Sequence, residues 1–294
     1  MDKKNQYLVL KDTRKLGFAE YGKHDGFPII YCHGSQSSRF EMHYDLSFAV
    51  NNDLRIITID RPGHGISDIN PKGTILSFAN DVKELIEYLG IDKFSVAGMS
   101  AGSPFALGIA YIFPKNTCSV AIISGFAPFV KETKKYLSKE VRVMLNLAKS
   151  FPFLLKLMLK FQAKQVAKNP KKALYNFLKI MSKPDQEVLK NEEVMKVIES
   201  MFKEAFRNGS SGVAYEVSNI LVCDWGFELS EVQIPVTFYQ GGNDNNVPFE
   251  WAEFMTSKIS NAELKKYPDE GHLIIFKHVK EIFTSLKVSL FKEG

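Results

Sequence analysis

Residues 94–113 read Phe-Ser-Val-Ala-Gly-Met-Ser-Ala-Gly-Ser-Pro-Phe-Ala-Leu-Gly-Ile-Ala-Tyr-Ile-Phe, and no other stretch constrains the fold so tightly. Three apolar positions (Phe94, Val96, Ala97) lead into Gly98-Met99-Ser100-Ala101-Gly102. Apolar residues at helical spacing follow (Phe105, Leu107, Ile109, Ala110) until Pro114 ends them. Strand, tight turn and helix form the setting that a G-x-S-x-G nucleophile elbow requires. A serine on so sharp a turn needs small neighbours two residues away, where a Cβ would collide as strand meets helix. The turn pushes the Ser100 hydroxyl out of the sheet and aims the Ala101 amide where an oxyanion would form. Two blander readings compete. The pentapeptide arises often by chance, and the segment is uncharged over about the length of a bilayer span. Its glycines, serines and internal Pro104 argue against a span, because a strand and a buried helix account for the same apolarity.

A chain of 294 residues is long enough for one large α/β domain carrying an insertion. Its 45% hydrophobic and 24% charged content is ordinary for a globular protein, and its 23 phenylalanines suit a generous core or an apolar pocket. Met1-Asp2-Lys3-Lys4-Asn5-Gln6 is followed by no apolar stretch of leader type, so a cytoplasmic location is expected. Cys32, Cys118 and Cys223 lie far apart without metal-ligand or redox spacing, which predicts reduced thiols and no metal site. No cofactor motif is present.

Read in order, the chain alternates strands with helices. Strands are expected at 7–10, 16–21, 28–32, 55–59, 94–97, 119–123, 236–240 and 262–267. The run Pro28-Ile29-Ile30-Tyr31-Cys32 is wholly apolar, as befits a strand buried on both faces. It ends in His33-Gly34-Ser35-Gln36, a loop able to offer the Ser35 amide to an anion. Leu76, Ala79, Val82, Leu85, Ile86 and Leu89 mark a helix closing at Gly90. Such alternation predicts a mostly parallel central sheet with helices on both faces.

Between 127 and 226 the alternation stops, and only helical patterns remain. They lie on the face Leu137, Val141, Met144 and Ala148, on Leu154 to Phe161, from Asn169-Pro170 onward, and on one long helix from Ser182 through Phe202. Residues 131–199 hold sixteen Lys/Arg against seven Asp/Glu, a net +9, so the remainder carries −4 of the total +5. This predicts a core of 1–126 and 227–294 with a basic helical cap at 127–226. Solvated lysines explain the charge most simply. A membrane-surface contact through Phe151-Pro152-Phe153-Leu154-Leu155 beside Lys156 and Lys160 is the second reading, and steering of acidic substrates is the third. No nucleic-acid motif accompanies the charge.

Ser100, Asp244 (in Gly241-Gly242-Asn243-Asp244) and His272 (after Gly271) all follow expected parallel strands, where ligands of open α/β sheets bind. Each has a distinct task. The serine attacks a carbonyl, the histidine takes its proton and returns it to the leaving group, and the aspartate fixes the tautomer and stabilises imidazolium. Asp244 alone also reads as a turn residue, and His272 alone as a helix start. His33 and His64 are expected to structure their loops, His24 and His278 to lie at the surface, and His43 to face either pocket or solvent.

With these residues in view, the chain resembles the α/β-hydrolase fold family in its capped, esterase-like branch. Tyr31-Cys32-His33-Gly34 is similar to the oxyanion loop, and Asp60-Arg61-Pro62-Gly63-His64-Gly65-Ile66-Ser67-Asp68 resembles the D-x-P-G-x-G-x-S turn. Gly98–Gly102 looks like the elbow, Asp244 with Val247-Pro248 like the acid loop, and Gly271-His272 like the histidine loop. The resemblance implies oxyanion donation by the Ser35 and Ala101 amides. Gln36 and Ser37 stand where such chains often carry proline and glycine, and Ser103 where many carry glycine. A serine nucleophile is incompatible with the alkyl-enzyme chemistry of relatives that use aspartate there.

The expected activity is hydrolysis of a small to medium apolar carboxylic ester or thioester through an acyl-enzyme, acting on a small-molecule acyl substrate. The alternatives are a slow-turnover ligand sensor on the same fold and a carbon–carbon bond hydrolase. The sequence leaves acyl specificity and oligomeric state open.

Overall fold

The computed structural model describes residues 4–44, 46–179 and 181–288. Met1–Lys3, on which part of the leader reading rests, lie outside the described residues. Eight strands form one sheet: β1 (Gln6–Val9), β2 (Lys15–Gly22), β3 (Phe27–Cys32), β4 (Leu54–Ile59), β5 (Phe94–Met99), β6 (Thr117–Ile123), β7 (Val236–Gly241) and β8 (Ala262–Tyr267). Their spatial order is β1-β2-β4-β3-β5-β6-β7-β8. The two pairings of β2, with β1 and with β4, are antiparallel, and β3 through β8 run parallel. All eight strands match the sequence reading to within two residues.

Alternate side chains of the central strands feed two cores. Ile30, Cys32, Val96, Ile122 and Phe238 pack with helices α2 (Ile75–Tyr88), α3 (Ser103–Ile112) and α11 (Phe249–Lys258). Ile29, Tyr31, Ala97, Ile123 and Tyr239 pack with α1 (Ser47–Asn51) and α12 (Ile275–Val288). Both faces are therefore covered, and every residue of β4 and β5 is buried, which is why neither strand shows a strict alternation of apolar and polar residues. Edge strand β8 is half-buried at most and carries Lys265 and Lys266, charges that discourage pairing with another sheet. No helix among the described residues is long and apolar enough to cross a membrane. The uncharged segment 94–113 divides into β5, a short 3₁₀ turn (Ser100–Gly102) and α3.

Between β6 and β7 the described residues contain helices and no strand: α4 (Lys131–Lys134), α5 (Lys139–Ser150), α6 (Pro152–Lys168), α7 (Pro170–Leu178), α8 (Lys183–Val188), α9 (Glu192–Ala205) and α10 (Ser211–Glu216), continued by a π-helical turn (Val217–Leu221). Their side chains form a third apolar cluster, which Leu273 joins from the loop after β8.

Three details differ from the sequence reading. The expected single helix from Ser182 through Phe202 is two, because Asn191 caps a new one by accepting from the Glu193 and Val194 amides at 2.9 and 3.3 Å. The α5 face is rotated: Leu145 is buried where Met144 was expected, and Met144 is exposed. On α6, Leu155, Leu159 and Val166 point into the cluster, while Met158 and Phe161 face outward.

Candidate active site

Ser100 sits at the end of β5 with φ +51°, a left-handed conformation that costs a non-glycine residue energy and marks a strained turn. The two flanking glycines make it attainable. A Cβ on Gly98 would come within 2.8 Å of Ala106 Cβ and the Gly102 carbonyl, and one on Gly102 would overlap the Cys32 carbonyl oxygen. The turn is tied down from behind. The Ser100 carbonyl accepts from the Phe126 amide at 3.1 Å, and the Ser103 hydroxyl lies 2.7 Å from that carbonyl and 2.8 Å from the Phe126 carbonyl. Ser103, where a glycine is common, thus binds the elbow to the segment after β6. Ala101 is the second residue of the 3₁₀ turn, within the first turn of the helix, where an amide has no partner in the helix itself.

Asp244 and His272 meet directly. The Asp244 side chain is fully buried, and His272 Nδ1 donates to its Oδ2 at 2.8 Å. That oxygen also accepts from Gln240 Nε2 at 3.1 Å, and Oδ1 accepts from the Asn246 and Val247 amides at 2.8 and 2.9 Å. Four donors leave the carboxylate no freedom to turn. They also fix the neutral imidazole with its proton on Nδ1, so that Nε2 is basic. Burial pushes the His272 imidazole down, but the Asp244 charge, helped by Asp185 and Glu41, outweighs it and holds the group above its ordinary value. The expected final helix begins at Ile275, so His272 lies on a turn ahead of it rather than at its start.

The structure thus joins two of the three expected residues. It sets Ser100 at the same sheet edge, without a hydrogen bond between Ser100 and His272 among the described residues. Apo sites often leave this bond long until substrate binds. The loop carrying Ser35 passes directly beside the serine, since a Cβ on Gly34 would lie 3.7 Å from Ser100 Cβ. Its neighbour Gln36 has φ +53° and accepts from Gln162 Nε2 of α6 at 2.9 Å.

Residues that the sequence did not single out hold these loops. Arg61, fully buried, forms a two-pronged ion pair with Glu216 of α10 (2.5 and 2.8 Å) and donates to the His33 and Gly34 carbonyls, the latter at 3.1 Å. Glu41 accepts from the Gly34 amide at 2.9 Å and the Tyr31 hydroxyl at 2.8 Å. Arg39 is shared between Asp60 at 2.6 Å and Glu204 of α9 at 2.8 Å. Asp185 of α8, also buried, accepts from the Leu273 amide at 2.7 Å through Oδ1 while Ser182 Oγ donates to Oδ2 at 2.6 Å. The Ser-x-x-Asp spacing signalled only a helix start, and nothing local signals that the free oxygen reaches the histidine loop. His33 is buried and bonded within its loop, as expected, whereas His64 is buried against it with neither ring nitrogen hydrogen-bonded among the described residues. His43 pairs with Lys4 Nζ at 2.7 Å, His24 is exposed, and His278 is half-buried against Tyr267. All three cysteines are free, and burial pushes the Cys32 thiol up to about 12.

A family model described as alpha/beta hydrolase fold matches residues 28–279. The chain belongs to this family. Family membership supports a hydrolase. A bifunctional esterase/perhydrolase DCH from Acinetobacter calcoaceticus is 25% identical over 276 residues, covering 90% of this chain and 92% of that protein. A non-heme chloroperoxidase of Streptomyces lividans is 23% identical over 278 residues, covering 92% and 94%. Among solved structures, an esterase from Exiguobacterium antarcticum superposes with a TM-score of 0.67 at 18% identity, covering 98% of this chain and 100% of that one. At this identity the structural likeness speaks for the fold alone.

Proposed function

We propose that this α/β-hydrolase cleaves small to medium apolar carboxylic esters or thioesters through an acyl-enzyme on Ser100. The observation that carries the reading is the Asp244–His272 pair at 2.8 Å, built with a basic Nε2 at the sheet edge where Ser100 is held in strain. In this mechanism His272 accepts the Ser100 proton as Oγ attacks the acyl carbon, and Asp244 stabilises the imidazolium. The oxyanion takes hydrogen bonds from the Ser35 and Ala101 amides. His272 then protonates the leaving alcohol or thiol, and water attacking by the same route releases the acid. Helices between 127 and 226 serve as a cap over the site, pinned to its loops by Asp185, Glu204 and Glu216. The esterase/perhydrolase among similar proteins supports acyl transfer as the reaction class.

The test is a panel of p-nitrophenyl esters and thioesters of graded chain length, with Ser100→Ala as control. That variant is expected to lose on the order of 10³-fold or more in kcat. Unchanged turnover in the variant rejects the mechanism. Labelling by a fluorophosphonate together with a single stoichiometric turnover of every ester points instead to a ligand sensor.

A further inference from the structure

Helix α6 is apolar on two sides. Leu155, Leu159 and Val166 are buried in the insertion's own core, yet Phe153, Leu157 and Phe161, spaced four apart, are each 64% exposed. Met158 beside them and Phe151 at the preceding turn are more than half exposed. A helix packed by one face ordinarily carries polar residues on the other. Contiguous exposed apolar surface of this kind marks a contact site. Leu157, Met158 and Phe161 line an open groove of about 500 Å³ with Lys160 and Lys164, and none of the candidate active-site residues borders it.

The charge around this stripe is of one sign. Residues 141–184 contain ten Lys/Arg and no Asp or Glu, and none of the ten forms an ion pair among the described residues. Lys156, Lys160, Lys164 and Lys168 recur every fourth residue along α6, next to the apolar row. We infer that the outer face of α6 docks on an anionic phospholipid surface, its Phe and Leu side chains entering the acyl boundary and its lysines reaching the headgroups. A straight apolar row of helix flanked by cations fits a planar, negatively charged boundary. A second copy of the chain docked by the same face would set the four α6 lysines against their own counterparts. No helix among the described residues is long and apolar enough to cross a bilayer, so the inferred contact is with the membrane surface. Nothing in this inference depends on the chemistry of Ser100.

Co-sedimentation with phosphatidylcholine vesicles, with and without phosphatidylglycerol, tests it. The full chain is expected to sediment with the anionic vesicles only, and less as salt is raised. F153S/L157S/F161S and K156E/K160E/K164E should each weaken binding at least tenfold, a single lysine near an anionic surface being worth on the order of fivefold. All six side chains are exposed, so the thermal midpoint and turnover of a soluble ester should be preserved. Equal partition onto neutral and anionic vesicles, no binding to either, or variants that bind like the parent would each overturn the inference. So would a dimer by analytical ultracentrifugation that the apolar triple variant dissolves while vesicle binding stays nil.

Discussion

Replacing Glu216 by Gln keeps the side chain's shape and removes its charge, leaving the Arg61 guanidinium in a site with no water access. Two of the guanidinium's contacts survive, the His33 and Gly34 carbonyls, and the amide oxygen can still accept one N–H. What is lost is the partner of a buried charge, a change that costs about 3–5 kcal/mol. The retained acceptor places this variant near the lower figure. Against a typical total of about 5–15 kcal/mol, that is a large fraction. With an m-value of about 3 kcal/mol/M for a chain of this size, the urea midpoint should fall by about 1 M. The effect is linked to pH. Burial pushes the Glu216 carboxyl up, but the Arg61 charge outweighs it and holds the group below its ordinary value. A depressed folded value contributes stability above about pH 4.5 that is lost as pH falls through it. The gap between parent and variant should therefore be full at neutral pH and narrow in acid. A midpoint shift below about 0.3 M at neutral pH would refute the reasoning, because Arg61 would then have another counter-charge. R61M/E216M, which removes both charges, should recover part of the stability. It should not recover ester turnover, because the two carbonyls that Arg61 holds lie in the loop beside Ser100.

The acid limb of kcat/KM should have its midpoint above about pH 6.5, since a raised His272 must be neutral to act as base. Asp244→Asn should move that midpoint down and cut kcat by roughly 10⁴-fold; a limb that stays in place would separate it from His272. The same raised value means that protonated His272 stabilises the fold below about pH 6.5, a contribution lost as pH rises through the folded value. Asp185→Asn removes a charge that helps raise His272 and weakens its hold on the Leu273 amide. It should lower kcat about tenfold with KM little changed and shift the acid limb down, whereas a purely stabilising role would leave the pH profile where it is.

Much of the core was legible because the central parallel strands are largely buried on both faces and the loops after β5, β7 and β8 carry the candidate site residues. Pro28–Cys32 needed no partner information to read as a strand, and the Gly98–Gly102 turn announced its own geometry. The helical insertion read less well. Its α5 and α6 segments are apolar on more than one side, so periodicity alone did not separate Leu145 from Met144, or Leu159 from Phe161. The break between α8 and α9 rests on the Asn191 side chain capping a new helix, a choice that helical spacing does not record. Least visible were the long-range polar ties. Arg61 and Glu216 lie 155 positions apart, and each alone looks like a surface charge.

Asp185, Glu204 and Glu216 give the basic insertion three acidic anchors, each set in a different loop at one end of the sheet. The sheet and its helices are consequently no free-standing scaffold on which the segment between β6 and β7 can be exchanged at will. Excising that segment strips Arg61 of its anion, Arg39 of one of two, and the Leu273 amide of its acceptor. A transplanted replacement would have to bring carboxylates to the same three places before the loops beneath it could keep their shape.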